Sequence, residues 1–451
     1  MKYLRFLLIF VIVLAGVGLY QTPARAGAFT YTSGISLQNL ADATANITLH
    51  FYLPDGSEDP LSPIDDTIDP LGSAVYFPIP TEEGFSGSVV IESDVQIASI
   101  SNILGDGGVA AAAYDGSSEG GMTVGLPLLM KGNSGYNTWF NVQNAGAAEA
   151  SVTVDYSDGT SASATVAVGA AATFDQMTET HTPHVFSGIV TADQPVAVTV
   201  IEENADTMFA YSGFNATSTE PVLPLINANN AGYITGINVQ NTGMADTDVT
   251  ITYSPSLFGT ECTETQTVTA GGSATFALYA FSGTPLPGMT TTCVGGERFV
   301  GSAQVTDNSA GEDLTAVVNQ LKPGVNGEAY GGFNADAATG TVVLPLIMNA
   351  NSTYWTSISI MNVGMAETTV TCTFTPYGGI DPLPVPTATL AAGTGVAFLQ
   401  NAPDEFGSTK YIGSATCTTD PAGQIVAVVN ELGGSPVNDQ LLVYEGFNTT
   451  P

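Results

Sequence analysis

The sequence predicts an all-β protein: four tandem β-sandwich repeats behind a cleaved export signal. Three observations carry this expectation. A marker Asn recurs at Asn39, Asn144, Asn241 and Asn362, 105, 97 and 121 residues apart, each time inside the same surrounding pattern. The runs around each marker alternate apolar and polar residues with a period of two, as half-buried strands do. No stretch past the N-terminal segment keeps a helical apolar stripe. Composition agrees, with 50 Gly and 25 Pro in 451 residues and only 11% charged side chains.

The first element is not part of the fold. Met1 to Arg5 is basic, Phe6 to Leu14 is apolar, and Ala24-Arg25-Ala26 supplies a small-x-small cleavage pattern. Residues 1–26 therefore read as a signal peptide, and the chain as secreted or held at the cell surface, with no membrane insertion after cleavage. From Gly27 onward, 42 acidic side chains face four basic ones (Lys131, Arg298, Lys322 and Lys410), a net charge of −38. Such a chain lacks the cations that nucleic acid demands, and it is repelled by anionic lipid.

The repeats span 27–118, 119–215, 216–334 and 335–451. The last three open on Leu-Pro-Leu, centred on Pro127, Pro224 and Pro345, each nine residues before a Tyr: Tyr136, Tyr233 and Tyr354. From that Tyr, or from Tyr31 in the first repeat, a strand runs to the marker Asn. Its apolar pairs are Ile35/Leu37, Phe140/Val142, Ile237/Val239 and Ile358/Ile360. A turn and a second strand follow, as in Val249 to Tyr253 or Val370 to Phe374. An aromatic-x-Gly then opens a further strand at Phe85, Phe186, Phe299 and Tyr411. Repeats two to four close on Gly-Phe-Asn, at Phe214, Phe333 and Phe447, whereas repeat one ends on Tyr114-Asp115-Gly116.

About seven short strands in a hundred residues indicate an immunoglobulin-like sandwich. The strand–Asn-x-Gly–strand core, as in Ile237 to Gly243, resembles the adhesion-type, CARDB-like modules found in tandem on prokaryotic surface proteins. That resemblance implies a fold and a compartment. The short joins between repeats predict an elongated chain of domains set end to end. Counting nine residues back from Tyr31 lands inside the signal peptide, so processed repeat one should lack its first strand. Its open sheet edge would then receive another copy or another protein.

Four cysteines fit an oxidising compartment and two disulfides. Aligning repeat four on repeat three puts Cys372 on Ile251 and Cys417 on Val305, so these positions should touch across the core. Cys262 and Cys293 are left to clip the long insert of repeat three. Three histidines support little acid–base chemistry: His50 falls within a strand, and His181 and His184 flank a Pro-containing turn. Gly116-Ser117-Ser118-Glu119-Gly120 matches a nucleophile elbow only formally, because no helix is expected after it. The acidic loop with Asp55, Glu58, Asp59, Asp65, Asp66 and Asp69 is the one candidate calcium site, as Ca²⁺ takes six to eight oxygens. Trp139 and Trp355 lie on the strand parity opposite the buried series and are candidates for stacking on sugars or, equally, for packing between domains. Asn46, Asn215, Asn351 and Asn448 fit Asn-x-Ser/Thr.

These features predict a non-enzymatic secreted or cell-surface structural or adhesion protein without a cofactor, except for structural calcium. Its partners would be a surface or matrix polymer. The alternative is an array of carbohydrate-binding modules of the extracellular matrix or cell wall.

Overall fold

The computed structural model describes residues 6–10, 27–309, 311–351, 353–377, 383–399, 409–433 and 441–449. These residues are all-β, with seven antiparallel sheets and no α-helix. The cleavage site proposed at Ala24–Ala26 lies outside the described residues. The chain divides into two compact units, one running to Asn215 and the other starting at Ala216.

The marker Asn explains its own recurrence. Asn39, Asn144, Asn241 and Asn362 are buried at the end of their strands. Each side-chain NH2 donates to the carbonyl four residues on, in Ala43, Ala148, Ala245 and Ala366, at 2.7–2.8 Å. It donates also to Ile68, Val166, Val268 and Leu390, at 2.9–3.2 Å. Its oxygen accepts the amide two residues on, at 2.8–3.0 Å. One buried side chain thus satisfies both sides of a turn that would otherwise leave backbone groups unpaired.

Leu-Pro-Leu is a bulge. The pairing of the leading strand with its neighbour slips between Phe186 and Gly188, Leu223 and Ile226, and Leu344 and Ile347. Proline has no N–H for the ladder, so the slip occurs where a bond was already lost. The second Leu of each motif then bonds to a buried tyrosine of the closing strand instead. Tyr211, Tyr330 and Tyr444 donate to the carbonyls of Leu128, Leu225 and Leu346 at 2.5–2.6 Å. The same hydroxyls accept those residues' amides at 3.2–3.4 Å. The aromatic-x-Gly is equally local in cause. A Cβ on Gly87, Gly301 or Gly413 would stand 1.9–2.3 Å from a carbonyl of the facing strand.

In the first unit, the core of repeat one lies between two sheets, with Ile35 and Leu37 against Leu49, Phe51, Val89 and Ile91. Repeat two departs from the expected short strands. Val185–Glu203 is a single 19-residue strand that pairs on both sides of the repeat and merges them into one seven-stranded sheet.

The end-to-end arrangement is corrected inside each unit. Closing strand Ala110–Asp115 packs against Met208–Ser212 of the next repeat, and Ser212 Oγ donates to Asp115 O at 3.0 Å. In the second unit Asn326–Gly331 packs against Leu441–Glu445, and the Gly331 amide donates to the Glu445 carboxylate. The reason is apolar on both faces of these strands. Ala111, Ala113, Ala210, Ala329, Leu441 and Val443 are all buried, which a strand facing water on one side would not allow. Repeats pair laterally through these faces.

Candidate functional site

The candidate site residues are mostly drawn into structural work. Both disulfides are formed, Cys262–Cys293 and Cys372–Cys417. The second does not cross the core as expected. Cys372 and Cys417 are direct ladder partners in one sheet, with Cα atoms 4.0 Å apart, as are Ile251 and Val305 in repeat three. The alignment identified the neighbours and misjudged the direction, because cross-strand and cross-core apolar pairs leave the same trace in sequence.

The acidic loop does not converge. Asp55 accepts from Ser57, Glu58 from Ser62 at 2.7 Å, Asp65 from Thr48 at 2.8 Å, and Asp66 from Tyr76 at 2.7 Å. Asp59 is buried and holds the amides of Leu61 and Glu82. Asp69 contributes its backbone carbonyl to Asn39. Among the described residues no three His, Cys, Asp or Glu form a group able to hold a metal ion. The expectation of a calcium cage is corrected on that geometry: five of the six carboxylates are each taken up by a partner of their own.

Of the two uses expected for Trp139, sugar stacking is corrected and packing between repeats is the one found. It is 2% exposed and meets Tyr31 edge-on, with centroids 5.7 Å apart, in a cluster with Ile103, Tyr114, Ile201 and Met208. Parity correctly placed it outside its own sandwich, yet that outer face is covered by repeat one. Trp355 is half-buried at the start of Trp355–Asn362. The histidines separate. His181 sits against Asp158 at 3.1 Å and stacks on Phe186, while His184 meets the Lys131 carbonyl at 2.8 Å. Gly116 to Glu119 line a cleft of 320 Å³ with Val196, Val198 and Asn215. The next element is the strand Gly121–Asn133, so the strand–turn–helix of a nucleophile elbow is missing there.

Sequence reasoning missed a buried carboxylate between the first two repeats. Tyr31 donates to Glu203 Oε2 at 2.6 Å, and the Ala28 amide donates to Oε1. Burial raises the Glu203 pKa, and these donors only partly oppose it. Burial and the neighbouring carboxylate push the Tyr31 hydroxyl up as well, so it stays protonated and donates. Gly27 closes the site with φ +92°; a Cβ there would fall 1.7 Å from the Tyr31 hydroxyl oxygen and 3.0 Å from Glu203 Oε1. Nothing in the sequence around Glu203 distinguishes it from a surface strand residue.

A raised carboxylate favours the folded state most when protonated. Stability of the first unit should therefore rise as pH falls from neutral through the raised Glu203 pKa. It should fall again below the ordinary carboxylate range, where Asp94 and Asp158, both lowered, take up protons. Asp158 is lowered because hydrogen bonds from Thr160 and His181 outweigh its burial. In Glu203→Gln the thermal midpoint of this unit should depend less steeply on pH above the ordinary carboxylate range. Cleavage after Ala26 would turn the Gly27 nitrogen into an ammonium beside Glu203, and the processed chain should show the same flattening. Equal slopes in all three proteins, followed by calorimetry, would show that Glu203 ionises in the fold as it does in the unfolded chain.

No family model matches the sequence, and no curated protein matches it. Among solved structures 25 chains match. One of them, described as the crystal structure of Thermotoga maritima 1070, is 16% identical over 25% of this chain and 96% of its own, with a TM-score of 0.21. A likeness at that level carries no argument about fold or function.

Proposed function

We propose that the chain is a secreted or cell-surface, non-enzymatic protein of four immunoglobulin-like repeats with a structural or adhesive role. The observation that carries this reading is the fate of its most recurrent polar residues. The four marker Asn are buried and hold the same turn four times over, and the closing tyrosines of repeats two to four are buried and hold the same bulge three times. Selection for a repeated, rigid frame suits a protein that spans or presents. Two disulfides and the absence, among the described residues, of a helix able to cross a membrane are compatible with an extracellular place. The carbohydrate-binding alternative has less support, since the Trp139 face is covered by Tyr31.

Expression with the native N-terminus in an exporting host tests this reading. The protein should be recovered outside the cytoplasm with Gly27 as its first residue and no titratable thiol, and it should sediment with isolated wall or matrix polymer. Recovery in the cytoplasm with Met1 intact and four free thiols would sink it.

A further inference from the structure

Repeats two to four each seat a leading strand against the strand opened by their aromatic-x-Gly. In register, Leu126 stands opposite Gly188, Leu223 opposite Ala303, and Leu344 opposite Ala415. Those three residues in turn face Tyr156, Tyr253 and Phe374. Repeat one keeps the receiving strand, Ser88–Ser93, whose Val89 faces Phe51 in the same way. What lies opposite Val89 is Phe10: the segment Phe6–Phe10 pairs antiparallel with Ser88–Ser93 from Phe6/Ser93 to Phe10/Val89. The apolar run of the export signal thus occupies the leading-strand position.

The described part of that segment, Phe6–Phe10, pairs without a bulge, and the sequence before Gly27 holds no Leu-Pro-Leu. Tyr114 is the counterpart of Tyr211, Tyr330 and Tyr444, each four places along a ladder that begins at the marker Asn. Tyr114 is fully buried, yet its hydroxyl has no hydrogen-bond partner among the described residues. The Ser101 hydroxyl across the ladder lies close enough to favour the phenolate slightly, but not in hydrogen-bonding geometry. The other three tyrosines bond to the kinked backbone of a leading strand. A buried hydroxyl left without a partner destabilises the fold, because it has lost its water and gained nothing in exchange.

We propose that, once residues 1–26 are removed, the outer edge of Ser88–Ser93 receives an extended apolar strand of another protein, antiparallel and kinked in the manner of Leu-Pro-Leu, whose backbone carbonyl reaches Tyr114. This rests on the export reading above. A second copy is a poor donor. Each Leu-Pro-Leu strand of this chain is already held on both sides, Pro221–Ala228 by Phe299–Asp307 and Phe333–Asn334, and Thr341–Asn349 by Tyr411–Asp420 and Phe447–Asn448. Likewise Gly121–Asn133 lies against Val185–Glu203 and bridges to Phe214 through Gly125. Two Ser88–Ser93 edges could pair with each other, but that flat pairing brings no kinked carbonyl to Tyr114. The occupant must also be poor in acidic residues, given the net charge of the chain.

The probe is a fluorescein-labelled peptide with the sequence of residues 220–229, the leading strand of repeat three. It should bind the chain from Gly27 to Pro451 saturably, and the intact chain at least about tenfold more weakly, because Phe6–Phe10 blocks the edge. Backbone N-methylation of the peptide should abolish binding. Tyr114→Phe, which removes no existing hydrogen bond, should weaken it about fivefold and leave the melting temperature of the free chain unchanged. Absence of saturable binding up to about 1 mM would overturn the proposal. So would a Gly27–Pro451 dimer in light scattering that the peptide cannot dissociate, or full affinity in Tyr114→Phe. Mass spectrometry of the exported protein separates the two readings. An N-terminus other than Gly27 counts against export processing, while the edge is still judged on a chain made directly from Gly27.

Discussion

Replacing Cys372 and Cys417 together by serine should destabilise the second unit by about 4 kcal/mol, the chain-entropy value for a loop of 45 residues. Both side chains are fully buried, so the serines would add buried hydroxyls to that loss. Cys372→Ile with Cys417→Val installs the pair that repeat three already carries at the matching ladder positions, Ile251 and Val305. That variant should recover the packing and retain only the loss from chain entropy. Thermal unfolding of the three proteins without reductant decides the matter. If the double serine protein melts with the wild type, the bond contributes nothing beyond its apolar surroundings.

Trp139→Ala should cost the first unit about 3–5 kcal/mol, in the range for deleting a buried aromatic. The side chain closes the cluster that joins repeats one and two, against Tyr31, Ile103 and Met208. Its loss opens a cavity between repeats and leaves each sandwich core whole. The expected signature is early, separate melting with protease cleavage near residues 116–120, rather than collapse of either repeat. Trp355→Ala, at a half-buried strand start, should be milder. If Trp139→Ala has the wild-type melting profile, the lateral contact is not what holds repeats one and two together.

Much of the frame was legible because its causes are local. Period-two alternation, the Asn turn and the aromatic-x-Gly each depend on residues a few positions apart or on one close backbone approach. Leu-Pro-Leu was visible as a motif, but its partner, a tyrosine 83 to 105 residues downstream, was not. No spacing rule links a bulge to a hydroxyl on a strand so much further along the chain. The cysteines were paired by aligning repeats, and their placement within one sheet needed the ladder register.

The candidate sites were less legible. Trp139 carries the parity of an exposed residue, and its burial depends on a second repeat lying against it. The acidic loop looked like a ligand set in one dimension, and in the fold five of its six carboxylates have partners of their own. Glu203 offered no signal at all, since its environment is assembled from Ala28, Tyr31 and Trp139. By itself the sequence determined the repeat, the strand pattern and the acidity, because these follow from local periodicity and composition. Only the tertiary structure decided which faces are covered and which polar groups are buried. Burial depends on surfaces brought together from distant parts of the chain, and no local pattern encodes what will lie against them.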